Sequence, residues 1–482
     1  MTPRDPEIPA IVAALRTDST RAVGYEMVDL IIDHLDAAHA GSGPVSGADP
    51  VVLADRFAEP LPRFGYAMDE LLPRLRDEVL ADVNRLNHPM YMGHQVSAPL
   101  AAAVWGELMI AATNNSLAVR EMSPVGTAIE RQVIRWMAEL AAFPALAGGT
   151  FTSGGQEATL TALLAARAAA FPNAWRTGGV SNAVIVCGEH AHYAVSRAVG
   201  VMGLGVESVI AIPSREWRMD VAALDAQLDA IAREGRRVIA VVATAGSTAT
   251  GSVDLLDAIA DQCEGRGLWL HVDGAHGASA LFSPRHAAAL AGIARADSLA
   301  WDPHKMMLMP LSAGVVLVRD ERRLDAAFAQ HAPYLFHGAA DERSRDQGVR
   351  SLMCSRRADA LKVWVAFQRY GAEGIGAVFA YLADLTQALA DRIDVHPEFE
   401  ALHAPSSNIL CFRHRRAGES PAQTDSRQRP LREAYNASGE GWITLTVLGG
   451  RPVLRVTLMN PFTTPAHLDA LLAGLARTAE EL

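Results

Sequence analysis

Cysteine is scarce: the 482 residues hold four, Cys187, Cys263, Cys354 and Cys411, widely scattered and without a CxxC pair. That spacing argues against a disulfide framework and a thiolate zinc site, and it suits a reducing compartment. Positive charge is also short. Against 54 Asp+Glu stand 43 Lys+Arg, a formal net charge of −11, so the basic face that a nucleic-acid partner requires is not expected. Long apolar runs are missing too. The most apolar window, residues 98–112, is interrupted by Glu107 and is too short for a bilayer, so no membrane partner is expected. The opening MTPRDPEIPAIVAAL is a poor secretory signal, and the expectation is a soluble, cytoplasmic protein. No internal repeat stands out. What is abundant is core material: half of the residues are hydrophobic and a fifth charged, which rules out low-complexity disorder.

The pattern changes twice along the chain. Residues 1–95 read as a helical arm, with helical spacing over 21–37 and 68–86 and a proline-bearing connector over 49–64. Residues 96–375 alternate short apolar runs (183–187, 238–244, 268–272, 298–301, 314–318) with helical stretches (157–170, 221–233, 255–264, 284–294). Such alternation predicts an α/β domain whose mostly parallel sheet is covered by helices on both faces. Residues 376–482 follow a long helix from 358 and read as a small α+β domain. Its strands are expected over 408–413, 442–447 and 453–458, and Thr464-Pro465 caps a closing helix. The polar stretch 414–441 reads as a mobile insertion.

In sheets of this kind ligands sit off the carboxyl ends of the strands, and those ends are where polar residues gather. Thr152-Ser153-Gly154-Gly155-Gln156-Glu157 opens a helix, where free amides attract a phosphate; an ordinary tight turn is the simpler alternative. His192 lies in His190-Ala191-His192 after the strand over 183–187, as a structural histidine or a ligand contact. Thr248 follows another strand end, as a turn cap or a contact. Asp273, in His271-Val272-Asp273-Gly274-Ala275-His276-Gly277, is a carboxylate at the mouth of a buried strand and needs a cationic or protonated partner. A metal held by His271, Asp273 and His276 is one explanation, although strand alternation does not make the three converge. Lys305, in Trp301-Asp302-Pro303-His304-Lys305-Met306-Met307, is followed by two methionines. Partial desolvation there lowers an amine's pKa and makes it a Schiff-base nucleophile. An amine, a carboxylate, a flat residue and a helix start are together what a pyridine-phosphate aldehyde requires.

These motifs resemble the group II pyridoxal-phosphate-dependent amino-acid decarboxylases, which include the aromatic, glutamate, cysteine sulfinate, histidine and 2,4-diaminobutyrate enzymes. The resemblance runs through NHPMYMGH (from Asn87), SPVGTAIE (from Ser123), TSGGQEAT, the His192 segment, HVDGAHG, ADSLAWDPHKMM, SRRADALKVW (from Ser355) and LRVTLMNP (from Leu454), about four-fifths of the chain. It implies the fold of PLP-dependent transferases (fold type I, aspartate aminotransferase-like) and pyridoxal 5′-phosphate as cofactor. It also implies a homodimer with the active site at the interface, the helical arm intertwining the two copies. By the same resemblance Lys305 carries the cofactor as a Schiff base and Asp273 pairs with the ring nitrogen. His192 stacks on the ring, with Ala275 on the other face. Gly154, Gly155 and Gln156 cradle the phosphate with help from His304, and Thr248 lies near cofactor and substrate. Tyr334 matches a loop tyrosine that crosses from the neighbouring copy and protonates the reacting carbon. No metal is implied.

Two departures stand out. Asp302 replaces a common Asn and, repelled by the phosphate, is expected to turn away; Gly274 replaces a common Ala. For the substrate, the resemblance places His94, Gln95 and Ser97 in the pocket. Both His94 and Gln95 are polar where aromatic-selective members carry aromatics, unless the two merely satisfy each other or the backbone. The Gly-His-x-x-Ser pattern is most similar to the diaminobutyrate branch. An acidic or aromatic amino acid is the alternative substrate, and aldehyde synthesis or transamination the alternative reaction.

Overall fold

The structure, a computed structural model, describes residues 9, 12, 21–38, 43–96, 98–178, 180–328, 332, 334–336 and 346–482. Seven strands form its central sheet: β1 (Gly148–Thr152), β2 (Ala183–Gly188), β3 (Val209–Ile212), β4 (Arg237–Thr244), β5 (Trp269–Asp273), β6 (Ser298–Trp301) and β7 (Gly314–Val318). Their order is β1-β7-β6-β5-β4-β2-β3, and β7 alone opposes its neighbours. Every residue of β1, β2, β6 and β7 is buried, as a sheet covered on both faces demands. The expected strands all form, with β6 and β7 matching to the residue. β1 and the edge strand β3 were not anticipated. Gly-Gly-Thr-Phe-Thr has no apolar run, and β1 forms by pairing with β7 (Gly148 opposite Val318 through Thr152 opposite Gly314).

Strand register aligns the site. Thr244 lies opposite Asp273 and Asp273 opposite Ala300, so the carboxyl ends of β4, β5 and β6 come level at one edge.

The arm departs from expectation in detail. Helix α1 (Arg21–Ala37) forms as read. The supposed connector contains α2 (Pro50–Arg56), because Asp49 is its N-cap, accepting the Val51 N–H at 2.7 Å, and Pro50 sits in its first turn. The next stretch is α3 (Met68–Arg74) and then a π-helical turn, Leu75–Leu80, where helix ends rather than reaching 86. The core helices α4 (Ala101–Thr113), α5 (Pro124–Leu140), α6 (Gly155–Ala170), α7 (Ala194–Val201), α8 (Val221–Arg233) and α9 (Leu256–Arg266) flank the sheet. The expected helix over 284–294 breaks after Pro284–Ala287 into single 3-10 turns. Gly292, held at φ 95° where a Cβ would lie 2.4 Å from the Asp257 nitrogen, stands between the two 3-10 turns.

A long helix, α10 (Ala360–Asp394), bends at Gly371 and joins this unit to a second, antiparallel sheet. That sheet is β8 (Phe399–Ala401), β9 (Ile409–His414), β10 (Thr444–Leu448) and β11 (Arg451–Thr457), ordered β8-β9-β11-β10. Leu385, Leu389 and Ile393 of α10 share its core with Phe412, Leu454 and Leu471. The stretch read as a mobile insertion is instead α11 (Pro421–Ala437). Ser420 and Gln423 form its capping box, and Leu431 and Tyr435 are buried on the small sheet's core. Helix α12 (Pro465–Glu480), opened by Thr464, closes the chain.

Two of the sequence motifs meet inside this scaffold. Glu130 on α5 and Arg356 before α10 form a buried fork: Arg356 Nη1 donates to Glu130 Oε2 at 2.8 Å, and Nη2 donates to Oε1. The Phe151 N–H of β1 donates to the same carboxylate at 3.3 Å. Removing one partner leaves an uncompensated buried charge. Arg356→Met is expected to cost about 3–5 kcal/mol, read as a lowered urea midpoint, with Glu130→Leu/Arg356→Met milder than Arg356→Met alone.

Candidate active site

Three loops leave the sheet edge together. After β1 the chain enters α6 through Ser153-Gly154, and both the N–H and hydroxyl of Ser153 donate to Glu157 Oε2 (2.8 and 2.7 Å). The glycines are dictated by crowding. A Cβ on Gly154 would lie 3.1 Å from His304 Cε1, and one on Gly155 would lie 2.9 Å from Asp302 Oδ2 and 3.0 Å from the Ala275 methyl. The phosphate-type helix start, the Asp273–Ala275 segment and the Asp302–Lys305 segment are therefore in contact. Gln156 donates from Nε2 to the Ala194 carbonyl at 3.3 Å, while its buried Oε1 has no partner among the described residues.

Asp273 ends β5. Its Oδ1 accepts the Ala275 N–H at 3.2 Å, and among the described residues it has no cation within salt-bridge reach although it is buried. His192 is held by the Ala194 N–H, which donates to Nδ1 at 3.2 Å. Burial is the main influence lowering its pKa; Asp273 and Asp302 oppose the shift, and Lys305 and Arg197 add to it. One imidazole thus senses both carboxylates and the amine. His304 accepts the Ala313 N–H at Nδ1 (3.1 Å) and is likewise lowered by burial first.

Lysine is almost absent from this protein: Lys305 and Lys362 are the two it has. Lys362 is fully buried, its Nζ donating to Glu107 (2.8 Å), to Asp359 (3.0 Å) and to the Ser312 carbonyl (2.8 Å). Lys305 is the amine left to react. Its Nζ lies 3.1 Å from Asp302 Oδ2, and His304 Nε2 is 3.5 Å from the same oxygen. Asp302 therefore does not turn away. It is wedged among Lys305, His304 and Gly155 because β6 delivers it directly onto the start of α6.

The metal alternative fails on geometry. His271 turns to Ser298 Oγ (2.9 Å) and His276 to Asn408 Oδ1 (2.7 Å), and burial pulls the two down to about 4 and about 3. No group of three His, Cys, Asp or Glu side chains among the described residues is placed to hold a metal.

The remaining expected residues lie around a second rim. Segment 90–93 is stitched to the small sheet: Met92 N–H donates to the Trp442 carbonyl (2.9 Å) and Thr457 N–H to the Met92 carbonyl (2.8 Å). This brings His94 to 6.3 Å from the Trp442 ring and within the fields of Arg455 and Arg432, which add to burial in lowering its pKa. Gln95 has a buried Nε2 without a partner among the described residues. Ser97 lies outside the described residues. Thr248 is near by through its carbonyl, which accepts Arg455 Nη1 at 2.6 Å. Tyr334 is 82% exposed.

Arg455 was missed by the sequence reading. It is 8% exposed, donates from Nε to Thr444 Oγ1 at 3.2 Å, and has no carboxylate within salt-bridge reach among the described residues. A lone arginine inside the apolar run of β11 was the available signal. His276, which senses both Lys305 and Arg455, links the two rims.

An unpaired buried carboxylate, a single reactive lysine, orphaned Gln156 Oε1 and a glycine-lined helix start fit a phosphorylated pyridine aldehyde. A model of the pyridoxal-dependent decarboxylase conserved domain matches residues 54–415. The chain belongs to this family. The decarboxylase is 34% identical over 459 residues to an L-2,4-diaminobutyrate decarboxylase of Rhizobium meliloti, with 95% of this chain and 91% of the relative covered. It is 31% identical over 478 residues to an aromatic-L-amino-acid decarboxylase of Bacillus atrophaeus, with 97% of each covered. Among solved structures, mouse CSAD superimposes with a TM-score of 0.91 at 27% identity, covering 96% of this chain and 98% of the other. The protein is a pyridoxal-phosphate-dependent carboxy-lyase of an amino acid. Among the described residues, no helix of the decarboxylase is long and apolar enough to cross a membrane.

Proposed function

We propose that the decarboxylase converts a small L-amino acid with a polar side chain, L-2,4-diaminobutyrate first, to its amine in the cytoplasm. Its working form in this reading is a homodimer. The observation that carries the substrate reading is the rim around His94. Burial is the main influence lowering the pKa of that imidazole, ahead of Arg455 and Arg432. The two guanidinium groups favour an anion, whereas a bare ring nitrogen accepts a hydrogen bond from a distal ammonium. The diaminobutyrate relative agrees with it. An acidic substrate is the second reading, favoured by Arg432, which lies over the Trp442 ring at 5.0 Å and faces the same rim.

In this reading Lys305 holds the cofactor covalently, and Asp273 keeps the ring nitrogen protonated. His192 and Ala275 flank the ring. Gly154, Gly155, Gln156 and His304 take the phosphate, and Thr248, His94, Gln95 and Ser97 border the substrate. When bound, the cofactor's ring serves as an electron sink for the carbon that loses carbon dioxide. Choosing carbon dioxide over a proton is a problem of position. The Arg455 guanidinium, fixed by the Thr248 carbonyl and the Thr444 hydroxyl, is the cation that orients the substrate carboxylate. Tyr334, exposed on its own chain, supplies a proton from its hydroxyl across the dimer interface.

The test is carbon dioxide release from the purified holoenzyme across L-amino acids and diamino acids. Diaminobutyrate as the best substrate supports the first reading, and aspartate, glutamate or cysteine sulfinate the second. Tyr334→Phe is expected to keep consuming substrate while yielding less amine and more carbonyl product by chromatography; an unchanged amine yield removes Tyr334 from the reaction.

A further inference from the structure

Asp302 is an expensive residue to bury. It is 1% exposed, its Oδ2 faces Lys305 and His304, and its Oδ1 is buried without a hydrogen-bond partner among the described residues. The same carboxylate lies beside Gly155 at the start of α6, where a Cβ would come within 2.9 Å of Oδ2. A negative charge there acts on both halves of cofactor loading. It repels a phosphate arriving at the α6 amides. It also holds Lys305 Nζ in an ion pair at 3.1 Å, a contact that must be broken before that nitrogen can attack an aldehyde. The two effects have the same sign.

We propose that Asp302 is a built-in brake on cofactor loading, a positioning residue that keeps Lys305 parked and the phosphate cradle weakened. The inference rests on the assignment of Lys305 and the Gly154–Gln156 turn to the cofactor. Loading requires Lys305 to surrender one ammonium proton to solvent. Its nitrogen then forms the double bond to the aldehyde carbon, and the aldehyde oxygen departs as water with the two remaining hydrogens. Asp302 holds the amine in its ion pair ahead of these events, and the phosphate must seat against its charge.

The experiment uses cofactor-free enzyme prepared from the purified holoenzyme, with two probes that separate the effects. Inorganic phosphate reports on the cradle alone, by calorimetry. Pyridoxal, which lacks the phosphate, reports on Lys305 alone, by the growth of its long-wavelength absorbance and by borohydride fixation. In Asp302→Asn, phosphate is expected to bind about tenfold more tightly and pyridoxal to be captured about tenfold faster at pH 7. A structural defect would move both the other way. Phosphate affinity that is equal or weaker overturns the brake, and so does pyridoxal capture that is no faster. If Asp302→Asn does not fold, Asp302→Ala is read against the same two outcomes. Wild-type enzyme reduced with pyridoxal phosphate bound carries the label on Lys305; a wild-type chain unlabelled there overturns the cofactor-site assignment itself, and the brake with it.

Discussion

Lys305→Ala is expected to lose decarboxylation on the order of 10⁴-fold or more, as removal of a covalent nucleophile does in other enzymes. The reason is unusually clear in this chain. No second amine can substitute, because the other lysine, Lys362, is sealed between Glu107, Asp359 and the Ser312 carbonyl. Borohydride reduction of the purified variant should therefore fix no cofactor, and its long-wavelength absorbance should be lost. The fold should persist, since Lys305 is a partly exposed side chain whose one ion pair among the described residues is to Asp302. The melting temperature is expected to fall modestly, reflecting an Asp302 left without its cation. A variant that melts normally yet retains a borohydride-fixed cofactor would mean that the reactive amine lies elsewhere.

Asp273→Asn is the second large effect. The carboxylate is buried at the end of β5 with one backbone donor and no cation among the described residues, which is stable only if a cation arrives. An amide of the same shape keeps the Ala275 N–H contact but cannot hold a proton on the ring nitrogen. Carbon dioxide release in a single turnover is expected to slow by about 10²–10³, the size of effect seen when a preorganised charge is removed from an active site. Retention of the cofactor should change much less, because in the proposed arrangement Lys305 and the α6 turn would hold it independently. A single-turnover rate within a few-fold of wild type would leave the burial of Asp273 without a catalytic reason.

Much of this was legible from residues alone, and the exceptions share causes. Strands β6 and β7 are fully buried, so each announces itself as a short apolar run with clear limits. Strand β1 does not, since its glycines and threonines are strand-forming only because β7 lies alongside. The polar stretch that becomes α11 looked like a loop by composition. Ser420 and Gln423 were the missed signal, a capping box ahead of buried Leu431 and Tyr435. Motif and strand-end position single out Lys305, Asp273, His192 and the α6 glycines, and the structure brings their segments together. Arg455 is not singled out in this way, because the contacts that give it meaning come from Thr248 and Thr444, remote in sequence. Asp302 faces the amine three residues on instead of turning away, a local attraction that phosphate repulsion alone leaves out.

The stitching of segment 90–93 to the small sheet has a consequence for how such an enzyme can diversify. His94 rides on one body with Trp442, Thr444 and Arg455, whereas Lys305, Asp273 and His192 belong to the other. In the proposed reading the substrate's side chain is met by the smaller lobe and the cofactor by the larger. Drift around His94 and Trp442 could then retune what is admitted while Lys305 and Asp273 are inherited unaltered.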